Sequence, residues 1–192
     1  MKPRPPMLAP LLRSDLQGEL LAEIFLHPDE DRTLSDLARL LDASLTTVHT
    51  EVGRLSAAGL ITERRVGRAR LVAANTRHPL APSLTELLTL TYGPEAVLPQ
   101  LVRGIGGVDE ALLYGSWAAR RLGVPGPFPS DVDLLLVGDL SRRRAARLQA
   151  EATAALRMDV NVAVLSLDEW NTPTTGFSRT VREGPTVALE LA

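Results

Sequence analysis

The sequence predicts a mixed α/β chain in two parts: three helices closed by a β-hairpin, then a small domain in which strands and helices alternate. Three observations predict it. Between residues 15 and 58, apolar side chains recur at helical spacing behind Ser and Thr caps. Between 61 and 73, two short runs flank Gly67-Arg68 and read as a hairpin. From Ala111 to Leu167, apolar runs alternate with helical patterns; one run ends in Gly115-Ser116, and the next begins Asp131-Val132-Asp133. The expected organisation is residues 13–78, a helical linker over 79–108, and residues 109–192.

Composition narrows the function. The 192 residues suffice for one large or two small domains, and a 45% apolar content suits a globular protein. The net charge of −2 carries no global signal for nucleic acid or membrane. Cysteine is absent, which excludes disulfides, zinc fingers and thiol catalysis. His27, His49 and His78 have no metal-ligand spacing. The Pro-rich start, residues 1–12, lacks the apolar run of a signal peptide, and no stretch approaches membrane-spanning length, so a cytoplasmic protein is expected. Only Lys2 among 21 basic residues is lysine, an arginine bias that a GC-rich genome would also produce.

The first part runs as follows. Ser14 with Gln17 begins a helix over Asp15 to Leu26, which His27-Pro28-Asp29 stops. Thr33 or Ser35 caps a second helix, with Leu37, Leu40 and Leu41 inward. After the turn Asp42-Ala43-Ser44, a third helix carries Val48, Val52 and Leu55 as its buried stripe and ends at Gly59. The hairpin then puts Arg64, Arg65, Arg68 and Arg70 within seven residues, a local footprint for phosphate. The segment SDLARLLDASLTTVHTEVGRLSAAGLI with this hairpin resembles the winged helix-turn-helix domains of bacterial regulators, of the arsenic-repressor-like and multiple-antibiotic-resistance-repressor-like groups. The resemblance implies duplex DNA as partner, a homodimer on a two-fold site being expected, with the third helix in the major groove. Its exposed positions Ser44, Thr46, Thr47, His49, Thr50 and Arg54 would then meet bases or phosphates. A winged helix used for protein contacts, with a merely solvated arginine run, is the competing reading.

Two helices, Pro82 to Tyr92 and Glu95 to Arg103, lead to the second part. There a strand ends in Gly115-Ser116, where a helix N-terminus favours phosphate. The next strand starts with Asp131 and Asp133, which point to one face because strand side chains alternate. Two neighbouring carboxylates at the rim of a core call for a positive partner, and Mg2+ shared with substrate phosphates fits. Ser141 caps a helix to about Leu156, Met158 to Leu167 reads as the third strand, and a short helical turn, a last helix and a short strand follow.

The stretch Asp109 to Leu167 resembles the minimal nucleotidyltransferase domains of the nucleotidyltransferase superfamily. The resemblance implies that Gly115 and Ser116 hold nucleotide phosphates, with Ser116 also capping the helix, and that Asp131 and Asp133 bind Mg2+ as the catalytic pair. The family's third carboxylate falls at Asn161; Asp159, two residues earlier on the same face, is the substitute metal ligand. The family's arginine after the serine falls at Ala119; Arg120, one turn beyond Ser116 on the same face, is the candidate phosphate ligand, with a solvent-facing pair Arg120 and Arg121 as the competing reading, and the loop Gly123 to Pro129 is longer than usual. Trp117 reads as core or as a base-stacking ring.

The reading is a DNA-binding transcriptional regulator whose nucleotidyltransferase-like domain binds Mg2+ and a nucleoside triphosphate, with catalysis weak or lost. The alternative is an active Mg2+-dependent nucleotidyltransferase acting on a protein or small molecule. A toxin–antitoxin component with a partner protein is a third.

Overall fold

The structure, a computed structural model, describes residues 11–191. The first ten residues of the Pro-rich start lie outside the described residues. The chain divides into two compact units, Met1–Gly93 and Pro94–Ala192. The stretch expected as a linker is two helices, one in each unit. Among the described residues, no helix is long and apolar enough to cross a membrane.

In the first unit, α1 (Asp15–Phe25) is followed by β1 (Arg32–Thr33), α2 (Leu34–Leu40), α3 (Leu45–Ala57), β2 (Ile61–Val66), β3 (Ala69–Ala74) and α4 (Ala81–Tyr92). The caps follow the sequence. Ser14, Thr33 and Ser44 each accept the backbone N–H three residues on. Asp42 makes the turn between α2 and α3 with φ +48°, a left-handed conformation that Asp tolerates. Gly59, at φ +73°, ends α3 while Leu60 N–H returns to Leu55 O at 3.0 Å, a six-residue closure that needs a left-handed residue. Leu20, Ile24, Leu37, Val48, Val52, Leu55 and Val72 are buried. The two-residue β1 is too short for a sequence pattern; it adds to the hairpin as an antiparallel edge, giving the order β1-β3-β2. This is the helix and strand order of a winged helix-turn-helix.

In the second unit, α5 (Pro94–Arg103) precedes β4 (Val108–Tyr114), α6 (Gly115–Arg121), β5 (Asp131–Gly138), α7 (Arg142–Leu156), β6 (Asp159–Leu165), α8 (Leu167–Asn171), α9 (Gly176–Glu183) and β7 (Val187–Ala188). The sheet order is β6-β5-β4-β7, with β5 and β6 parallel across the α7 crossover and the other pairs antiparallel. Strand β5 is central. Val132, Leu134 and Leu136 pack with Leu98, Val102, Trp117, Leu148 and Ala152 on one face. Leu135 and Val137 pack with Leu112, Leu165, Trp170 and Val181 on the other. Strands buried on both faces are continuous apolar runs, as LLLV is here.

One packing defect in the first unit is testable. A side chain at Gly18 of α1 would collide with the hydroxyl of Tyr92 on α4, so the glycine admits that ring. The Tyr92 hydroxyl is buried with no hydrogen-bond partner among the described residues, and burial pushes its phenol above the ordinary value. A buried hydroxyl that has lost water and gained nothing costs stability. Tyr92→Phe is therefore expected to raise unfolding stability by about 1 kcal/mol, read from the urea midpoint; a lowered midpoint would show that the hydroxyl has a partner in solution.

Candidate functional site

Two sites were expected, one in each unit. In the first, α3 exposes Ser44, Leu45, Thr46, Thr47, His49, Thr50 and Arg54, while Val48, Glu51, Val52 and Leu55 face inward. Several of these polar groups already have internal partners. The Ser44 hydroxyl caps α3 and lies 2.7 Å from Thr47 Oγ1. Thr50 Oγ1 donates to Thr46 O at 3.0 Å. Arg54 pairs with the buried Glu51 at 2.5 Å. Thr46 is the hydroxyl with no bond of its own side chain among the described residues.

The hairpin arginines divide two and two. Arg64 pairs with Asp31 just before β1, and Arg70 makes a fork with Glu63 at 2.6 Å to each oxygen. Both carboxyls titrate low in consequence: Asp31 through its bond to Arg64, and Glu63, at about 2, through Arg70 and then Ser56. Arg65 and Arg68 are exposed and make no ion pair among the described residues. The sequence cluster of four cations thus offers two unneutralised guanidinium groups. Sequence reasoning missed the two acids. Glu63 was visible within the hairpin, but Asp31 reaches Arg64 only because β1 joins the sheet. Arg70 also lies 3.2 Å from His49 Nε2. A guanidinium can only donate, so Nε2 accepts. That bond ties α3 to β3 and joins the helix face and the hairpin into one polar surface.

In the second unit, alternation along β5 places Asp131 and Asp133 on the face that holds Leu135 and Val137, beyond the cover of α8 and α9. The register sets Asp133 opposite Tyr114 on β4 and Asn161 on β6, and Asp131 opposite Asp159. Asn161 Nδ2 donates to Asp131 Oδ2 and to Asp133 Oδ1, both at 3.1 Å. The amide bridges the two carboxylates. Asp131 and Asp133 form no salt bridge among the described residues. Burial, then Asp131, raises the Asp133 carboxyl above its ordinary value, while Asn161 opposes the rise. The Tyr114 phenol is pushed up by burial and by both carboxylates. Gly115 stands at φ +68°, and a side chain there would overlap the Asp133 carboxylate, so the turn after β4 and the start of β5 meet only because residue 115 is glycine.

Three expected residues sit differently. Ser116 does not cap its helix: α6 begins at Gly115, Tyr114 is the capping position with no side-chain bond, and the exposed Ser116 stands inside the first turn. Arg120 donates to Val124 O and holds the loop after α6, which needs that donor because it turns back on the helix end. Asp159 does not complete a metal cluster: no group of three His, Asp or Glu side chains converges among the described residues. Trp117 is buried in the core against Phe128. Asp131 and Asp133 are the oxygen donors that would hold a divalent cation, with the neutral Asn161 where a second cation would need charge.

Fold and sites together define a two-unit chain with a winged helix-turn-helix topology first and a small α/β unit bearing a carboxylate pair second. No family model matches the chain, and no curated protein matches it. Among solved structures the chain is similar to MepR, a transcription regulator of the Staphylococcus aureus multidrug efflux pump MepA, at 23% identity over 43% of this chain and 59% of that one, TM-score 0.37. A MepR mutant bound to an oligodeoxyribonucleotide gives 24%, 43%, 59% and 0.37. The heme sensor PefR from Streptococcus agalactiae gives 21%, 38%, 52% and 0.33. The match spans less than two thirds of each of these chains.

The amide bridge yields a prediction with a definite sign. A carboxyl whose folded pKa is raised contributes stability that is complete below the unfolded value and is lost as pH rises through the folded one. Asn161→Asp replaces two hydrogen bonds with repulsion and raises Asp133 further. The thermal midpoint should fall at pH 7, recover below the ordinary carboxylate range, and rise more with Mg2+ than in the unmodified protein. A midpoint independent of pH between 3 and 7 in this variant would show that the three side chains do not interact.

Proposed function

We propose that the chain is a DNA-binding transcriptional regulator. The observation that carries this reading is the single polar surface of the first unit, in which the exposed face of α3 is tied by His49 and Arg70 to a hairpin bearing Arg65 and Arg68. Two guanidinium groups without internal partners suit phosphate oxygens, which fix register and supply most non-specific affinity. Thr46, the methyl groups of Thr47 and Thr50, and the free nitrogen of His49 suit base edges. Arg64, Arg70 and Arg54 act by holding the hairpin and the helix in place through Asp31, Glu63 and Glu51.

The second unit binds one Mg2+ with a nucleoside triphosphate in this reading, with transfer slow or lost. Asp131 and Asp133 hold the cation, and Gly115 lets phosphate come close to the backbone. The bound cation would screen phosphate charge. Asn161 supports binding over turnover: it brings no charge for a second cation, and a two-metal clamp is worth several kcal/mol in the transition state. Active transfer to a protein or small molecule is the alternative, and labelled nucleotide decides it. Labelling of a lysate component by the unmodified protein, abolished by Asp131→Ala, would replace the binding reading with the enzyme reading.

For DNA the test is salt dependence. Arg65→Ala with Arg68→Ala is expected to lower the slope of log affinity against log salt by about 2, since each phosphate contact contributes about 0.9, and to weaken all sequences alike. Thr46→Ala should change sequence preference instead. Failure of the unmodified chain to retain any genomic fragment at low salt would overturn the DNA reading.

A further inference from the structure

A second basic surface lies in the second unit. Residues 141–150 contain four arginines and no acidic residue, in a chain whose net charge is −2. They fall in the first half of α7, whose inner side, Ala145, Leu148 and Ala152, is buried. At 100° per residue, Arg143, Arg147 and Arg144 lie within about 100° of the helix circumference. All are exposed. Arg143 and Arg144 make no side-chain hydrogen bond or ion pair among the described residues; Arg147 pairs with Glu151 at 2.7 Å, with 80% of its side chain still exposed. Three cations in the first turn, Arg142 to Arg144, also oppose the helix dipole, which favours acids there. The fold gains nothing from this placement, and a bound polyanion would compensate it.

We propose that the Arg143–Arg144–Arg147 stripe of α7 is a second phosphate-contacting surface for duplex DNA; this rests on the DNA reading above. The chemistry favours a phosphate backbone over an acidic protein. Protein interfaces need a buried apolar or aromatic centre, and the exposed residues beside and among these arginines on α7 are Ala146, Ala150 and Glu151, the last being the partner of Arg147, so none is a large apolar side chain. Such neighbours let a charged backbone approach; the apolar side chains nearest Arg144 and Arg147, Leu101 and Ile105, are already half-buried against the unit. Guanidinium forks match phosphate oxygens in two-point contacts. The same chemistry stands on the hairpin at Arg65 and Arg68.

The experiment uses the full chain and one duplex that it retains. Arg143→Ala, Arg144→Ala and Arg147→Ala together are expected to lower the salt slope by about 2.7, at about 0.9 for each phosphate contact, beyond the change from the hairpin pair. A second variant separates binding from folding. Arg143→Glu with Arg144→Glu places acids at a helix N-terminus and should raise the thermal midpoint, while weakening DNA binding about tenfold or more. An unchanged slope in the triple variant, with the hairpin variant still losing its share, would overturn the second surface and leave the DNA reading standing; an acidic protein partner would give that outcome. Loss of binding by neither variant because the unmodified chain retains no duplex would overturn both.

Discussion

A period of two along strand β5 governs the second unit. Even-numbered Val132, Leu134 and Leu136 are buried beneath α5 and α7, and odd-numbered Leu135 and Val137 are buried beneath α8 and α9. Asp131 and Asp133 obey the same alternation, but they lie where the second cover has ended. A one-residue shift would exchange the residues packed on the two faces of β5 and carry both carboxylates to the face that holds Leu98, Trp117 and Leu148. The pair is held at the open end of the sheet by the same constraint that builds the core. Their neighbours follow from register alone: β4 brings Tyr114 beside Asp133, and β6 brings Asn161.

The electrostatics of the two units contrast. In the first, acids are matched to specific arginines. Asp31, Glu63 and Glu51 neutralise Arg64, Arg70 and Arg54, and these pairs fix where the hairpin and α3 sit. Exposed pairs of this kind add little stability individually. Their effect is selection: on the hairpin they leave Arg65 and Arg68 as the cations without an ion pair among the described residues. In the second unit two carboxylates are bridged only by an amide at one end of β5, and of the four arginines on the first half of α7 Arg147 has an acidic partner, Glu151, while the other three form no ion pair among the described residues. Two carboxylates side by side at a half-buried position are costly, and a ligand of opposite sign offsets that cost.

Sequence by itself determined the elements longer than two residues, with their approximate ends. The helix caps Ser14 and Ser141, the choice of Thr33 or Ser35 before the second helix, the stop at Gly59, the hairpin around Gly67, and the strands of β4, β5 and β6 depend on local propensity and periodicity, which a few neighbouring residues specify. The spacing of Asp131 and Asp133 belongs to the same class, since i and i+2 share a face wherever a strand forms. Tertiary structure decided what those residues meet. Arg64 is neutralised because β1, two residues long, brings the end of a distant loop to the hairpin. Ser116 loses the capping role because Gly115 already starts the helix against Asp133. Arg120 is held by the loop that follows it, and Asn161, expected as a poor metal ligand, donates to both carboxylates across the β5–β6 register. Apart from Arg120, whose partner Val124 is four residues on, each of these outcomes depends on a contact between residues far apart in the chain or on the start of an element. Local sequence carries no information about such contacts, because the partner is chosen by the sheet register and by packing.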